Sequence, residues 1–240
     1  MRRHLVLRLA SPLIAFGGEA IDNLGVIRDF PALSMVTGLL ANALGWDRSD
    51  APAHNRLQER LRLGCVLVPG AQHIRDFQTA QLGKDDKGWT TWGVPEERAG
   101  GAGTYAGPHL RYRDYHADLT AWVALTLLPA EEEPTLQTIA QALDKPARPL
   151  FIGRKPCLPT DRLVAGWKEA ADLRSALQAI VDAQPSTKPK PWPAQWPDGE
   201  GHQPGDRVLD VCDERNWHTQ LHGGWRPVRQ GLLHPQEVQA

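Results

Sequence analysis

The chain has 240 residues, 41% of them hydrophobic and 23% charged, with a formal net charge of -1. That is enough to bury a sizeable core in one large domain, or in a domain plus a smaller lobe, and it excludes a chain disordered throughout. Near-neutral charge means that a nucleic-acid partner has to be met by positive charge gathered on one surface and offset elsewhere.

The elements follow in chain order. Residues 4–10 alternate Leu5, Leu7 and Leu9 with Val6 and Arg8, a strand pattern closed by the turn signal Ser11-Pro12. The run before it is interrupted by Arg8 and has no small-residue cleavage site, so it predicts no signal sequence. After a loop over 22–30, Pro31 leads into a helix with Val36, Leu39, Leu40, Ala43 and Leu44 on one face, stopped by Gly45. Gly38 and Ala41 form a small-residue stripe on that helix, which predicts a close neighbour there.

A second helix is expected over 53–62, then strands at 63–68 and 73–79. Residues 81–108 break the pattern with glycines at 100, 101 and 103 and mixed charges, and so long an excursion inside a compact domain reads as functional or disordered. Strand signal returns at 110–115 and 119–128. A helix opened by Glu132, Glu133 and Pro134 follows, running to Leu143, and then an apolar strand at 150–154. The order is β-α-β-β-α-β, which predicts an α+β, ferredoxin-like (RRM-like) domain over 1–157, with an insertion at about 81–110 and an open sheet available to RNA.

Residues 158–240 read as a smaller region. It comprises a polar, partly helical stretch at 161–183, a Pro/Trp-rich loop at 185–205 and strand pieces at 207–211 and 225–228, which form a small C-terminal β element. Cys65, Cys157 and Cys212 are far apart and in no CxxC pair, which suggests a reducing cytoplasm. No stretch approaches a membrane span. Cys212, His218 and His222 are too few for a structural zinc site, and no metal or other cofactor is expected. Walker, Rossmann and HExxH signatures are absent.

Five segments carry a family resemblance: LRLASPLIAFG at 7–17, Arg28-Asp29-Phe30-Pro31 before the helix with Gly38-Leu39-Leu40, Ile74 to Thr79, Tyr112-Arg113-Asp114-Tyr115, and FIGRKPC at 151–157. In this order they resemble the CasD family, the type I-E Cascade subunits that cap the 5′ end of a CRISPR guide RNA, over roughly residues 4–160. The C-terminal WRPVRQG at 225–231 resembles the family's closing strand. Leu33 stands where that family commonly carries a basic residue, and residues 84–108 have no counterpart in its pattern.

The resemblance implies a non-catalytic subunit that holds the 5′ handle of the CRISPR RNA, with the insertion at about 81–110 as a protruding thumb. It would contact the backbone-forming subunit and the large subunit that reads the PAM, and would meet target DNA only through the complex. It also places candidate RNA contacts at Arg28, Ser34, Asn42, Arg75, Tyr112, Arg113, Arg154 and Lys155. Arginine suits bidentate phosphate contact and lysine acts as a compact charge, so phosphate positioning is expected ahead of base reading.

Plainer readings stand beside these roles. Arg8 pairs with a carboxylate or snorkels; Arg75 pairs with Asp76 and Arg113 with Asp114; Ser34 caps its helix. Tyr112 offers a stacking platform. Trp122 is expected in the core, Trp89 and Trp92 on the inserted segment, and Trp192 and Trp196 in a loop folded onto the body. Two alternatives remain. One is metal-independent cleavage of CRISPR repeat RNA using His73, His116, Tyr115 and Lys155. The other is a scaffold that bridges protein subunits without touching RNA.

Overall fold

The computed structural model describes residues 1–21, 23–83, 85–88, 94–97, 107–184 and 190–236. Its centre is a strand whose alternation fills two cores. Leu5, Leu7 and Leu9 of β1 (Arg2–Ala10) turn to one face and are fully buried; His4, Val6 and Arg8 turn to the other. Burying each leucine stabilises the fold by about 1.5–3 kcal/mol.

Antiparallel neighbours flank β1 on both sides. β8 (Thr120–Leu127) runs from Leu5↔Leu125 to Ala10↔Thr120, and β9 (Val164–Ala170) pairs from Arg2↔Ala170 to Leu7↔Val164. β5 (Leu61–Leu67) pairs with the far side of β8. Three further strands, β10 (Trp192–Pro197), β11 (Arg207–Val211) and β12 (Arg226–Leu233), extend the same sheet, giving the order β11-β12-β10-β5-β8-β1-β9. Residues after 157 therefore pair with strands from the first half of the chain in one sheet.

Helices α1 (Leu33–Leu44), α2 (Ala51–Arg60) and α3 (Leu136–Asp144) lie on the Leu5/Leu7/Leu9 face, where Val36, Leu40, Leu57 and Ile139 join the larger core. α1 ends as expected at Gly45, whose φ of 81° a β-carbon would oppose. The small stripe on α1 also has its close neighbour, because a β-carbon on Gly38 would sit 3.4 Å from the Trp217 ring. On the opposite face, α4 (Leu173–Asp182) packs Leu173, Leu177 and Val181 against Val6, Val66, Ala124 and the buried Trp192 and Trp196. The expectation of an open sheet is corrected here: α4 and the two tryptophans cover the second face over its middle. Trp122 lies at the margin of that core, half-buried, with the Arg8 guanidinium 5.9 Å above it and Arg8 bonded to Asp161 at 2.7 Å.

Two strand assignments are also corrected. Residues 150–154 form no strand: Ile152 N–H bonds to Cys157 O and Cys157 N–H to Arg154 O, so the apolar run folds into a turn whose Ile152 and Cys157 are buried. The strand following α3 is β9 instead, disguised in sequence by Gly166, Lys168 and Glu169 and by a register shift opposite Val6/Leu7. The Pro/Trp-rich stretch read as a loop contains β10. Its prolines are tolerated because pairing with β5 is confined to Ala194 and Gln195.

A second sheet stands beside the first. β6 (Gln72–Ala80) and β7 (His109–Ala117) form a hairpin stem paired over nine positions, and β2 (Leu13–Ile14), β4 (Leu24–Ile27) and β3 (Gly17–Ile21) complete the sheet on the other side of β7. Residues 81–108 join the far ends of this stem. Trp89, Trp92 and the glycines at 100, 101 and 103 fall outside the described residues. Among the described residues no helix is long and apolar enough to cross a membrane, and no cluster of three metal-ligating side chains occurs.

Candidate nucleic-acid interface

Three segments meet at Gly25. The parallel pairing of β4 with β7 sets Gly25 opposite Arg113, and the turn at 152–157 brings Arg154 to the same point. That turn requires glycine at 153: φ is 85°, and a β-carbon would lie 1.7 Å from the carbonyl oxygen of Ala15. Arg154 then reaches across two strands. Its Nη1 donates to Asp114 O at 2.8 Å and its Nη2 to Gly25 O at 2.7 Å, with Cζ 4.9 Å from the buried Tyr115 ring.

A β-carbon at Gly25 would sit 2.8 Å from Arg113 Nη1 and 3.0 Å from Arg154 Nη2, so two guanidinium groups converge over a residue that has no side chain to shield them. Among the described residues, Arg113 bonds only its neighbour's carbonyl, Tyr112 O, at 3.5 Å. Among the described residues neither arginine forms a salt bridge, and Lys155 beside them is exposed. Converging guanidinium groups without a salt bridge among the described residues, over bare backbone, are suited to a phosphate chain, with Asp76, the register partner of Arg113, as the acid across the ladder.

The hairpin stem divides the other candidates by its two-residue period. His73, Arg75 and Phe77 share one face with His116, Asp114 and Tyr112; Ile74, Asp76 and Gln78 share the other with Tyr115, Arg113 and Arg111. Arg75 and Tyr112 therefore lie across the stem from Arg113. Arg75 is bonded in bidentate fashion to Asp114, Nε to Oδ1 at 2.6 Å and Nη2 to Oδ2 at 3.0 Å, so its partner is the cross-strand acid and not its neighbour Asp76. These bonds hold the Asp114 carboxyl below its usual range and push the Arg75 guanidinium up. Arg113 in turn does not pair with Asp114, which is buried on the opposite face. Tyr112 packs on Phe77 with ring centroids 5.4 Å apart, and Phe77 is 53% exposed, an aromatic face open to a base or a side chain.

Three of the expected contacts also make hydrogen bonds within the protein. Ser34 is buried and is not the N-cap; Ala32 holds that position. The start of α1 is filled by Asp213, which accepts from Leu33 N–H through Oδ2 at 3.0 Å and from Ser34 N–H through its carbonyl at 3.0 Å. Arg226 grips the same carboxylate at 2.8 and 2.7 Å, so no vacancy for phosphate remains there. Asn42 donates to Pro149 O at 2.9 Å, tying α1 to the chain before the Gly153 turn. Arg28 donates from Nη2 to Cys212 O at 2.7 Å, linking the approach to α1 with the C-terminal segment.

Gly25 and Asp114 organise the site, and the sequence reading missed both roles. Gly25 lay in a stretch read as loop, where only the short apolar run Leu24 to Ile27 hinted at a strand. Of the four groups considered for RNA cleavage, His73 and His116 are register partners on one face of the stem. Tyr115 lies across the stem from His73 and His116, His116 Nε2 is 2.9 Å from Arg28 O, and His73 Nε2 is 3.7 Å from Asp114.

A family model, CRISPR-associated protein (Cas_Cas5), matches residues 4–229. The chain belongs to the Cas5 family of CRISPR-associated proteins. It is 27% identical over 189 residues to the CRISPR system Cascade subunit CasD of Escherichia coli (strain K12), a match covering 74% of this chain and 76% of that one. Its fold is similar to a chain of a solved CRISPR RNA-guided surveillance complex, with a TM-score of 0.71 and 20% identity, over 97% of this chain and 90% of the other. A solved Cas protein superposes with a TM-score of 0.58 and 23% identity, covering 98% and 97% of the two chains. The Gly25–Arg113–Arg154 cluster thus lies inside the segment that the Cas5 family model spans.

Proposed function

We propose that this Cas5-family chain is a non-catalytic subunit of a type I-E Cascade that binds and caps the 5′ handle of the CRISPR RNA. The observation that carries the reading is the convergence of Arg113 and Arg154 over Gly25, with no salt bridge to either among the described residues. The handle's phosphates run over this point, with Lys155 as an outer charge, and the role is geometric and electrostatic: it fixes one end of the guide. Pairing by the guide then reads sequence while protein reads shape and PAM.

In this reading β9-β1-β8-β5 and the helices between them constitute a ferredoxin-like β-α-β-β-α-β unit, and the β6–β7 stem with residues 81–108 is the thumb. The exposed Phe77–Tyr112 face of that stem serves the junction with the neighbouring backbone subunit. The large PAM-reading subunit is the other protein partner, target DNA is met through the complex, and the assembly works in the cytoplasm without a cofactor on this chain.

Co-expression with the neighbouring genes and a CRISPR array, followed by sequencing of the bound RNA, tests this. A stoichiometric complex carrying guide RNA is expected. A stoichiometric complex lacking it would favour the protein-bridging scaffold, and cleavage of repeat RNA by the isolated chain in EDTA would favour the endoribonuclease.

A further inference from the structure

A second pair of arginines without acids sits on the helical side of the molecule, away from Gly25. Arg215 is fixed there by Gln58 of α2, a buried side chain that bonds three times: its Nε2 donates to Arg215 O at 3.0 Å, and its Oε1 accepts from Arg215 N–H and Trp217 Nε1, each at 3.2 Å. Trp217 is clamped in turn against Gly38 and against the His54 ring, 4.5 Å between centroids. The Arg215 guanidinium lies 5.4 Å over the Trp217 ring, and its Nε is buried without an acceptor.

Arg48 approaches the same loop from the end of α1. Its Nε donates to Gln220 Oε1 at 2.9 Å, and the Gln220 amide donates to Trp217 O. Among the described residues neither Arg48 nor Arg215 forms a salt bridge, and Asp47, adjacent to Arg48, is held by Arg148 at 2.6 Å. Burial, and after it the positive charge of Arg48, lowers the Arg215 pKa. Arg48 and Arg215 thus meet at the Trp217 loop, Arg48 through Gln220 and Arg215 over the Trp217 ring. An anion arriving from outside would relieve the repulsion between them.

We propose that Arg48 and Arg215 form a second phosphate-binding site, which takes the backbone of a nucleic-acid strand. A single carboxylate from a protein satisfies one guanidinium fork. Two arginines with up to five N–H donors each, preorganised by Trp217 and Gln220, fit the successive anions of a phosphodiester chain better. The site stands on observations separate from the Gly25 groove, so either can fail without the other.

The test uses the full chain and three probes: inorganic phosphate, a single-stranded RNA and a DNA duplex of mixed sequence. At constant ionic strength, replacing chloride by phosphate is expected to raise the melting temperature of the parent more than that of R48A, with R113A as the background so that the groove does not contribute. In salt titrations R48A and R215K are compared with the parent. R48A is expected to flatten the log-affinity against log-salt slope by about 0.7 for a single strand or about 0.9 for duplex DNA, and the probe that responds identifies the source. R215K, which keeps the charge but not the planar fork, is expected to keep the slope and lose affinity. Unchanged slopes with both nucleic acids overturn the proposal, as does loss of an acidic protein partner from R48A complexes with nucleic-acid binding intact.

Discussion

Gly153 and Ala15 approach so closely that a β-carbon on Gly153 would lie 1.7 Å from the Ala15 carbonyl oxygen. This one contact decides where Arg154 points, because the turn that follows Gly153 delivers its guanidinium to Gly25 O and Asp114 O. The close approach and the placement of the Arg154 guanidinium are therefore a single feature of the fold.

G153A should cost about 3 kcal/mol or more, since φ of 85° is strained for alanine and the clash is with backbone that cannot rotate away. Urea unfolding should show a lower midpoint with an unchanged slope. RNA affinity should fall with it, because Arg154 is displaced. An unaltered midpoint would show that the turn relaxes freely and that the close approach has no structural consequence.

Asp114 restrains Arg75, so D114N should raise affinity for single-stranded RNA at low salt and steepen the salt dependence, while R75A should do neither. The same pair has a pH signature. The folded Asp114 carboxyl titrates below its unfolded value of about 3.9, so its contribution to stability is complete above that pH and disappears as pH falls through the depressed folded value. The stability gap between parent and D114N should therefore be present at about pH 5 and close in stronger acid. A gap that persists unchanged to pH 2 would contradict the assignment.

Asp213 closes the start of α1 and is gripped by Arg226, both with little exposure. D213A removes a helix cap and leaves a guanidinium largely buried without its partner, a loss of about 3–5 kcal/mol. Chemical denaturation measures this directly. The salt slope for RNA should not change in the variant, because the helix start is not part of the groove; a flatter slope would return Ser34 and the α1 terminus to the binding surface.

Much of the fold was legible where burial imposes a simple period. Leu5, Leu7 and Leu9 announce β1, Gly45 announces the end of α1, and the alternation over Thr120–Leu127 announces β8. Legibility failed where a residue's use is set by a distant partner. FIGRKPC looks like a strand because Ile152 is buried, but the burial belongs to a turn. VAGWKEA looks like a loop or polar helix because an edge strand tolerates Gly166 and two charges.

The site divides along the same line. Arg113 and Arg154 were visible as basic residues in recognisable segments, whereas their convergence depends on β4 pairing parallel to β7, which no local pattern encodes. The internal bonds of Ser34, Asn42 and Arg28 were not legible, because Asp213, Pro149 and Cys212, which accept them, lie far along the chain. Their neighbours in sequence said nothing of these bonds.

The central claim is that Arg113, which forms no salt bridge among the described residues and lies beside Arg154, contacts a phosphate of the guide. Affinity for the handle RNA measured across a salt series, for the parent and for R113A, tests it most directly. The account predicts a log-log slope shallower by about 0.7 in R113A, with the urea midpoint unchanged. Equal slopes for the two proteins would contradict it.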